Sequence, residues 1–449
     1  MKKPFVRMRR KLAFTAGCAL NVVAATQAHA QEVPLPELPP LQPTLYVGDA
    51  EGQIELDVRR RHRPAFDPVG IPIGSWRLYP SIAAGFGYES NLFGDGDDPT
   101  SAPFAEVRPA AAIEATPSWG QVRLDASGRF TRFIGHSQAD ENAFAVNGYA
   151  RYELDSDTQV EGGADFAQMI ERRDSSGFPD GRVEPVRYLQ TQVYGRATHQ
   201  AGDLRLSGAV DYTNFNFHDT KALTADDEVS SIIDQDIRDQ HVLRGDLRAD
   251  YDVSRGIAVF ARGIVQSVDY RIAEIAPGEP NLGGNTYTAL AGVALNGAGM
   301  LRGSIGVGYV RREFGNASAP DISGLAVNAD IAYFATPILT LSARASRTVE
   351  AAVLQDAAGY VSNAVSVAAD YEVKRWLIVH ADAGFLYNDF RVNPRTDKIF
   401  NASLGATYNV DRRIAFDGSL AYVNRSISND PSAASYDDVT VRVGARFSF

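Results

Sequence analysis

Leu243-Arg244-Gly245-Asp246-Leu247-Arg248-Ala249-Asp250-Tyr251 is the stretch whose reading decides the fold. Apolar or small residues occupy its odd positions, and charges of both signs occupy the even ones. Successive side chains of a β-strand point to opposite faces, so this spacing gives one apolar face and one charged face. Val122, Leu124, Ala126, Gly128 and Phe130 alternate in the same way with Arg123, Asp125, Ser127 and Arg129. From about residue 77 onward the chain repeats this grammar in stretches of roughly ten to fourteen residues. A soluble sandwich also alternates, but its strands are usually shorter. Long strands with small and aromatic residues on the apolar face fit a wall that looks onto lipid.

The connections alternate in length. Short turns fall at Thr116-Pro117-Ser118, Asp155-Ser156-Asp157, Gln200-Ala201-Gly202, Ser254-Arg255-Gly256, Gly297-Ala298-Gly299, Thr336-Pro337, Lys374-Arg375 and Asp411-Arg412. Longer polar segments lie between them: Glu89 to Ser101, Glu171 to Val186, His218 to Ile237, Ala273 to Gly284, Gly315 to Ile322, Ala351 to Gly359 and Ile427 to Ser435. Tight turns on one side and long loops on the other predict a closed antiparallel transmembrane β-barrel of about eighteen strands. Tyr152, Tyr251, Tyr371 and Tyr408 each sit just before a short turn, with Tyr333 placed similarly. Tyrosines at one height predict an interfacial girdle. The final stretch alternates Val441, Val443, Ala445, Phe447 and Phe449 with Arg442, Gly444, Arg446 and Ser448. This strand must pair with the first, because an open edge in lipid leaves backbone groups unsatisfied at several kcal/mol each. Its terminal aromatic resembles the signature through which barrel-assembly machinery recognises outer-membrane barrels, so that machinery is an expected partner at Phe449.

The N-terminal part follows other rules. Lys2, Lys3, Arg7, Arg9, Arg10 and Lys11 precede the apolar run Leu12 to Ala25, and Ala28-His29-Ala30 offers a small-x-small cut. Residues 1–30 therefore read as a cleaved signal peptide, with the mature chain starting at Gln31. Cys18, the only cysteine, lies in that leader. The mature chain is thus expected to have no disulfide, thiolate metal site or cysteine nucleophile, which suits passage through an oxidising periplasm. Pro34, Pro36, Pro39, Pro40 and Pro43 make residues 31–76 a Pro-rich periplasmic extension, before a barrel over 77–449. Arg59, Arg60, Arg61 and Arg63 form a basic run there. They are candidates for docking an acidic periplasmic partner, or for a plug reaching into the lumen; the simplest expectation is a solvated tether.

The formal charge of −11 counts against nucleic acid as a partner. With lipid on the apolar face, the opposite face lines the lumen. Candidate pore-lining residues are Arg123, Arg129, Arg151, Arg196, Arg244, Arg248, Arg262, Arg302, Arg344, Arg442 and Arg446. Asp125, Asp165, Arg205, Asp246, Asp250, Asp330, Asp370, Asp382 and Asp417 share that face, with Tyr149, Tyr194, Gln190 and Gln192. Charged rings of this kind set pore selectivity, or pair across strands and fill a wet interior. Arginines beside aromatic rings also suit sugar hydroxyls and anionic sugars. Asp95, Asp97 and Asp98 do not match a calcium-loop spacing, so no metal is expected there. His380 and Asp382 are same-face neighbours, but no motif marks a nucleophile near them, and no phosphate loop or metal-spaced cluster appears. Neither enzymatic activity nor a cofactor is expected.

Arg63-Pro64-Ala65-Phe66-Asp67-Pro68-Val69-Gly70-Ile71, Gly74-Ser75-Trp76, Leu78-Tyr79-Pro80-Ser81 and Gly87-Tyr88-Glu89-Ser90-Asn91-Leu92-Phe93 together resemble the entry of the putative β-barrel porin type 2 family. The resemblance is sharp in this entry motif and rests on pattern alone in the rest of the chain. It implies a pore-type protein in the outer membrane of a Gram-negative bacterium, among lipid and lipopolysaccharide, often linked to exopolysaccharide export. The leading expectation is a channel associated with such export, with polysaccharide or periplasmic export components as partners. The alternatives are a general diffusion porin, or a scaffolding barrel whose extension docks a periplasmic complex.

Overall fold

The computed structural model describes residues 57–449 apart from 180, 277–278, 296–299, 317–318, 352–358, 392–393 and 431–432. The leader, the Pro-rich stretch and the turn at Gly297 lie outside the described residues. Eighteen long strands form the wall. In chain order they are β1 (Trp76–Glu89), β2 (Ala102–Ala115), β3 (Gly120–Phe133), β4 (Glu141–Glu153), β5 (Thr158–Ile170) and β6 (Arg187–Ala201). Next come β7 (Leu204–Phe217), β8 (Gln240–Ser254), β9 (Ile257–Tyr270), β10 (Gly284–Leu295), β11 (Leu301–Phe314) and β12 (Ile322–Thr336). The last six are β13 (Leu339–Ala351), β14 (Gly359–Lys374), β15 (Leu377–Arg391), β16 (Thr396–Asn409), β17 (Ile414–Ser428) and β18 (Tyr436–Ser448).

Each strand pairs antiparallel with its neighbours in sequence, and β1 pairs with β18 through Ile82↔Phe447 to Tyr88↔Val441. The sheet is therefore a closed ring in which no wall strand is left with an open edge. A three-residue strand, Ile71–Ile73, adds to β1 at the turn end. Two loops carry small two-stranded pairs of their own. No helix of the described residues is long and apolar enough to cross a membrane.

Local chemistry explains the ladder and its one gap. At Gly202-Asp203 and Arg255-Gly256 the strands reverse in two residues, and each glycine takes a left-handed φ, 62° and 82° respectively. Such hairpin turns need that conformation. In β2 the pairing to β3 runs to Val107↔Phe130 and resumes at Ala110↔Ser127. Pro109 sits in the gap and has no N–H to give.

The outer face exposes Ile82, Phe86, Leu124, Val210, Leu247, Val307, Leu325, Val367, Leu404 and Val443, a belt suited to acyl chains. Tyr152, Tyr251, Tyr333, Tyr371 and Tyr408 are all exposed on this face at the turn end, as expected of a girdle. Trp119 packs on Tyr152, and Trp376 on Tyr408. By the rule that barrel turns are short on the periplasmic side, this end faces the periplasm and the long loops face outward.

The inner face is less uniform than the sequence suggests. Ala258, Phe260, Leu290, Ala294, Val310 and Ala326 make an apolar patch on the inner side of β9 to β12. These strands read as near-continuous apolar runs, such as Ile257 to Ala261 and Leu290 to Leu295, because one face looks onto lipid and the other packs in this patch.

Candidate functional site

Ser176, in the loop between β5 and β6, accepts a hydrogen bond from Asn388 on β15 at 2.8 Å. In a ring of eighteen strands, β6 and β15 stand nine apart, on opposite walls. Asn388 therefore points into the lumen, and strand register carries that parity around the ring. All eleven candidate arginines lie on this inner face.

Most of them are paired within the wall. Arg123 bonds Glu114 at 2.9 Å and Asp125 at 2.7 Å. Arg151 meets Glu161 at 2.9 Å, and Arg196 meets the same carboxylate at 3.5 Å while stacking on Tyr194. The Tyr194 ring lies over Gly163, where a Cβ would come within 2.5 Å of it. Arg244 pairs with Asp211 (2.9 Å), Arg248 with Asp250 (2.7 Å), Arg262 with Asp246 (2.5 Å) and Arg344 with Asp330 (3.0 Å). Arg129 lies 3.4 Å from Glu141. Arg442 bridges Glu106 and Asp417 at 3.3 and 3.2 Å. Arg302 sits over the Phe334 ring, and Arg446 shares the face with Asp417. Sequence reading missed the carboxylates Glu106, Glu114, Glu161 and Asp211. Their same-face parity with the arginines was the available signal.

The external mouth carries an inward-folded loop. In residues 171–186, Phe178, Val183 and Val186 are buried against Tyr188, Phe215, Phe217, Val242 and Val268 of the inner wall. Across the lumen, Arg425 on β17 donates to the carbonyl of Ser175 at 3.4 Å. Glu171 accepts two bonds from Arg238 of the next long loop, at 2.8 and 2.7 Å. That loop (residues 218–239) also joins backbone to backbone, Glu184 N–H to Lys221 and Leu223 N–H to Arg182. Asp227 ties the assembly to the β3–β4 loop, meeting His136 at 2.5 Å and Arg182 at 2.6 Å. Burial pushes the Asp227 carboxyl up, but hydrogen bonds from His136 and Arg182 outweigh it and hold the group below its ordinary value. Arg182 lies 3.9 Å above the Phe93 ring.

The periplasmic mouth is occupied differently. The described chain begins with a strap, residues 57–67, that is not a solvated tether. Val58 is fully buried, and Arg61 and Arg63 are 6% exposed. Val58 N–H donates to the Thr340 hydroxyl on β13 at 3.1 Å. Arg63 pairs with Glu372 on β14 at 3.0 Å, Arg61 lies 3.6 Å from the same carboxylate, and Arg59 lies 3.7 Å from Asp370. Arg61 also donates to the Pro337 carbonyl. Further along, Arg412 donates to the Pro64 carbonyl at 2.7 Å, and Gly70 N–H to that of Phe449 at 3.2 Å. Three of the four arginines read as docking candidates, Arg59, Arg61 and Arg63, thus meet carboxylates of the barrel itself.

His380 stands beside this strap with Asp370 on Nδ1 at 2.7 Å and Asp382 on Nε2 at 3.1 Å. The Ser403 hydroxyl donates to Asp382, not to His380, so this is not the geometry of a base-activated nucleophile. Asp95 accepts the backbone N–H groups of Asp97 and Asp98, which closes its own turn. Asp219, Asp234 and Asp236 cluster in an external loop, with Asp219 and Asp234 likewise accepting backbone N–H groups.

A closed, lipid-belted wall with a polar lumen defines a transmembrane channel-type β-barrel. The chain belongs to the family described as "Putative beta-barrel porin 2", whose model matches residues 63–449. It is accordingly an outer-membrane protein of the porin-like kind found in Gram-negative bacteria. Among solved structures it is similar to the copper transporter OprC, with 11% identity over 87% of this chain and 82% of that one (TM-score 0.44). It is also similar to the ferric enterobactin receptor PfeA of Pseudomonas aeruginosa, a mutant form, with 7% identity over 83% and 80% (TM-score 0.43). The outer membrane protein OpdK of Pseudomonas aeruginosa matches with 13% identity over 83% and 98% (TM-score 0.41). A comparison with curated proteins finds no match.

Proposed function

We propose that the protein is a constricted outer-membrane channel for hydrophilic solutes, with polyhydroxylated, saccharide-like molecules as the class that suits its lumen best. The observation that supports this is the pairing of arginines with carboxylates along the inner wall. Paired charges leave a polar surface of small net field, rich in donors and acceptors, which sugars can satisfy without carrying charge. Barrels of this strand number enclose an aqueous passage unless it is filled. Here the loop at residues 171–186 narrows the external side. A link to export of an extracellular polysaccharide is the finer form of this reading. It rests on the family resemblance of the entry motif.

The test is single-channel conductance of the refolded protein in a planar bilayer, with neutral and with acidic oligosaccharides added. Steady current blocked by either sugar supports a saccharide-conducting lumen. Current that neither sugar blocks points to a general diffusion porin. No current from a correctly folded barrel would sink the channel reading in favour of a scaffolding role.

A further inference from the structure

Glu372 is a buried carboxylate at the centre of a cluster of guanidinium groups. Its side chain is only 3% exposed. Three guanidinium groups surround this one carboxylate: Arg63 at 3.0 Å, Arg61 at 3.6 Å and Arg375, from its own turn, at 3.4 Å. Two residues up the same strand face, Asp370 takes Arg59 and His380. Thr340 on β13 accepts the strap's backbone N–H. The wall thus offers two carboxylates, which the strap meets with arginine side chains, and a hydroxyl, which it meets with a backbone N–H.

The strap has the properties of an exchangeable ligand. Arg63–Asp67 is a self-contained turn, with the N–H groups of Phe66 and Asp67 donating to the Arg63 carbonyl. Val58 is its one fully buried apolar side chain, whereas Val69, Ile71 and Ile73 beyond it are exposed. Ion pairs and a few hydrogen bonds therefore hold it, and these can be replaced by an incoming cation of the same shape. Arg375 stays beside Glu372 when the strap leaves, so the carboxylate is not stranded without a partner.

We propose that Asp370 and Glu372 form a guanidinium-binding site in the periplasmic mouth, with residues 57–63 as its resident, displaceable ligand. The site takes arginine-type cations and short arginine-bearing peptides arriving from the periplasmic side. This goes beyond the channel reading and does not depend on it, because binding can be measured without current.

The probe is a fluorescent tripeptide, Arg-His-Arg, with the sequence of residues 61–63, read by anisotropy against the full barrel in detergent. The variant Arg61→Ala/Arg63→Ala frees the site and is expected to bind the peptide at least ten-fold more tightly than the unaltered protein. Adding Glu372→Gln to it should cost at least ten-fold. Equal affinity with and without the strap arginines would overturn the idea of a resident ligand, and full binding by the Glu372→Gln form would overturn the site. A second measurement keeps the strap intact. In Val58→Cys/Thr340→Cys, whose only other cysteine is Cys18, both new thiols are buried while the strap is seated. Added peptide should speed their alkylation by a maleimide in proportion to its concentration until the site is filled; a rate indifferent to the peptide overturns the proposal.

Discussion

The two mouths of the barrel are both occupied, by opposite physical means. Outside, a loop is held by an apolar cluster around Phe178, Val183 and Val186, with charges around its edge. On the periplasmic side, a strap is held by arginines on Asp370 and Glu372, with one buried valine. Apolar burial does not depend on charge, whereas the strap's ion pairs, shielded from salt while buried, are weakened by it once the strap opens to water. The difference predicts that the strap releases more readily than the loop.

The largest expected effect comes from breaking the apolar lock. Phe178→Asp would place an unpaired carboxylate among Tyr188, Phe215 and Phe217, at a cost of several kcal/mol. The loop should lift, and single-channel conductance should rise several-fold. Unchanged current in a barrel that still runs as folded on an unboiled gel would show that this loop does not limit the passage.

Salt should separate the two ends next. Raising it from about 0.1 M to about 1 M shortens screening from about 10 Å to about 3 Å. Trypsin should then cut after Arg60 and Arg61 several times faster, while Arg173 and Arg182 of the external loop stay protected. Equal acceleration at both ends would erase the distinction drawn here.

Acid tests the external loop by itself. The Asp227 carboxyl is held below its ordinary value of 3.8, so its contribution is complete above that value and is lost as pH falls through the lower folded one. Deuterium uptake by the backbone around Arg182, measured at each pH and corrected for the intrinsic pH dependence of exchange, should stay low from pH 7 to pH 5 and rise only near pH 3. Release already at pH 5 would contradict the assignment. The smallest effect is expected at the rim, where Arg311 pairs with Asp321 and Glu313 in full view of solvent. Arg311→Ala should leave the denaturant midpoint of unfolding essentially unchanged, because an ion pair in water gains little over its hydrated partners.

The wall was legible in the sequence because period-two alternation leaves no second solution for strands of this length. Leu243 to Tyr251 sets its own facing, and Tyr152, Tyr251 and Tyr408 mark the height of the turns. The same alternation placed every candidate arginine on the inner face. Two connections escaped notice, Ile134 to Asp140 and the short one before Arg395, because neither is long or strongly polar. What fills the lumen was not legible. Phe178 and Val183 look like ordinary loop residues until the opposite wall is known, and the bond from Asn388 to Ser176 joins positions that no local pattern relates. The basic run at Arg59 to Arg63 signalled a contact. Its partner, Glu372, is some three hundred residues away and looks like any other strand-end acid.

The seam between β1 and β18 also constrains time. Ile82 faces Phe447, so the ring joins nearly the first and the last residues of the wall. Neighbouring strands can pair as hairpins while synthesis proceeds, but this last pairing has the greatest sequence separation of all, and such contacts form late. Until it forms, two strand edges remain open to any other chain that offers one. The Phe449 N–H donates to the Pro80 carbonyl, and the Phe449 carbonyl accepts from Gly70 at the strap's exit. The bond from Gly70 to Phe449 can thus form only once β18 lies beside β1, so the end of the strap nearest β1 is fixed last.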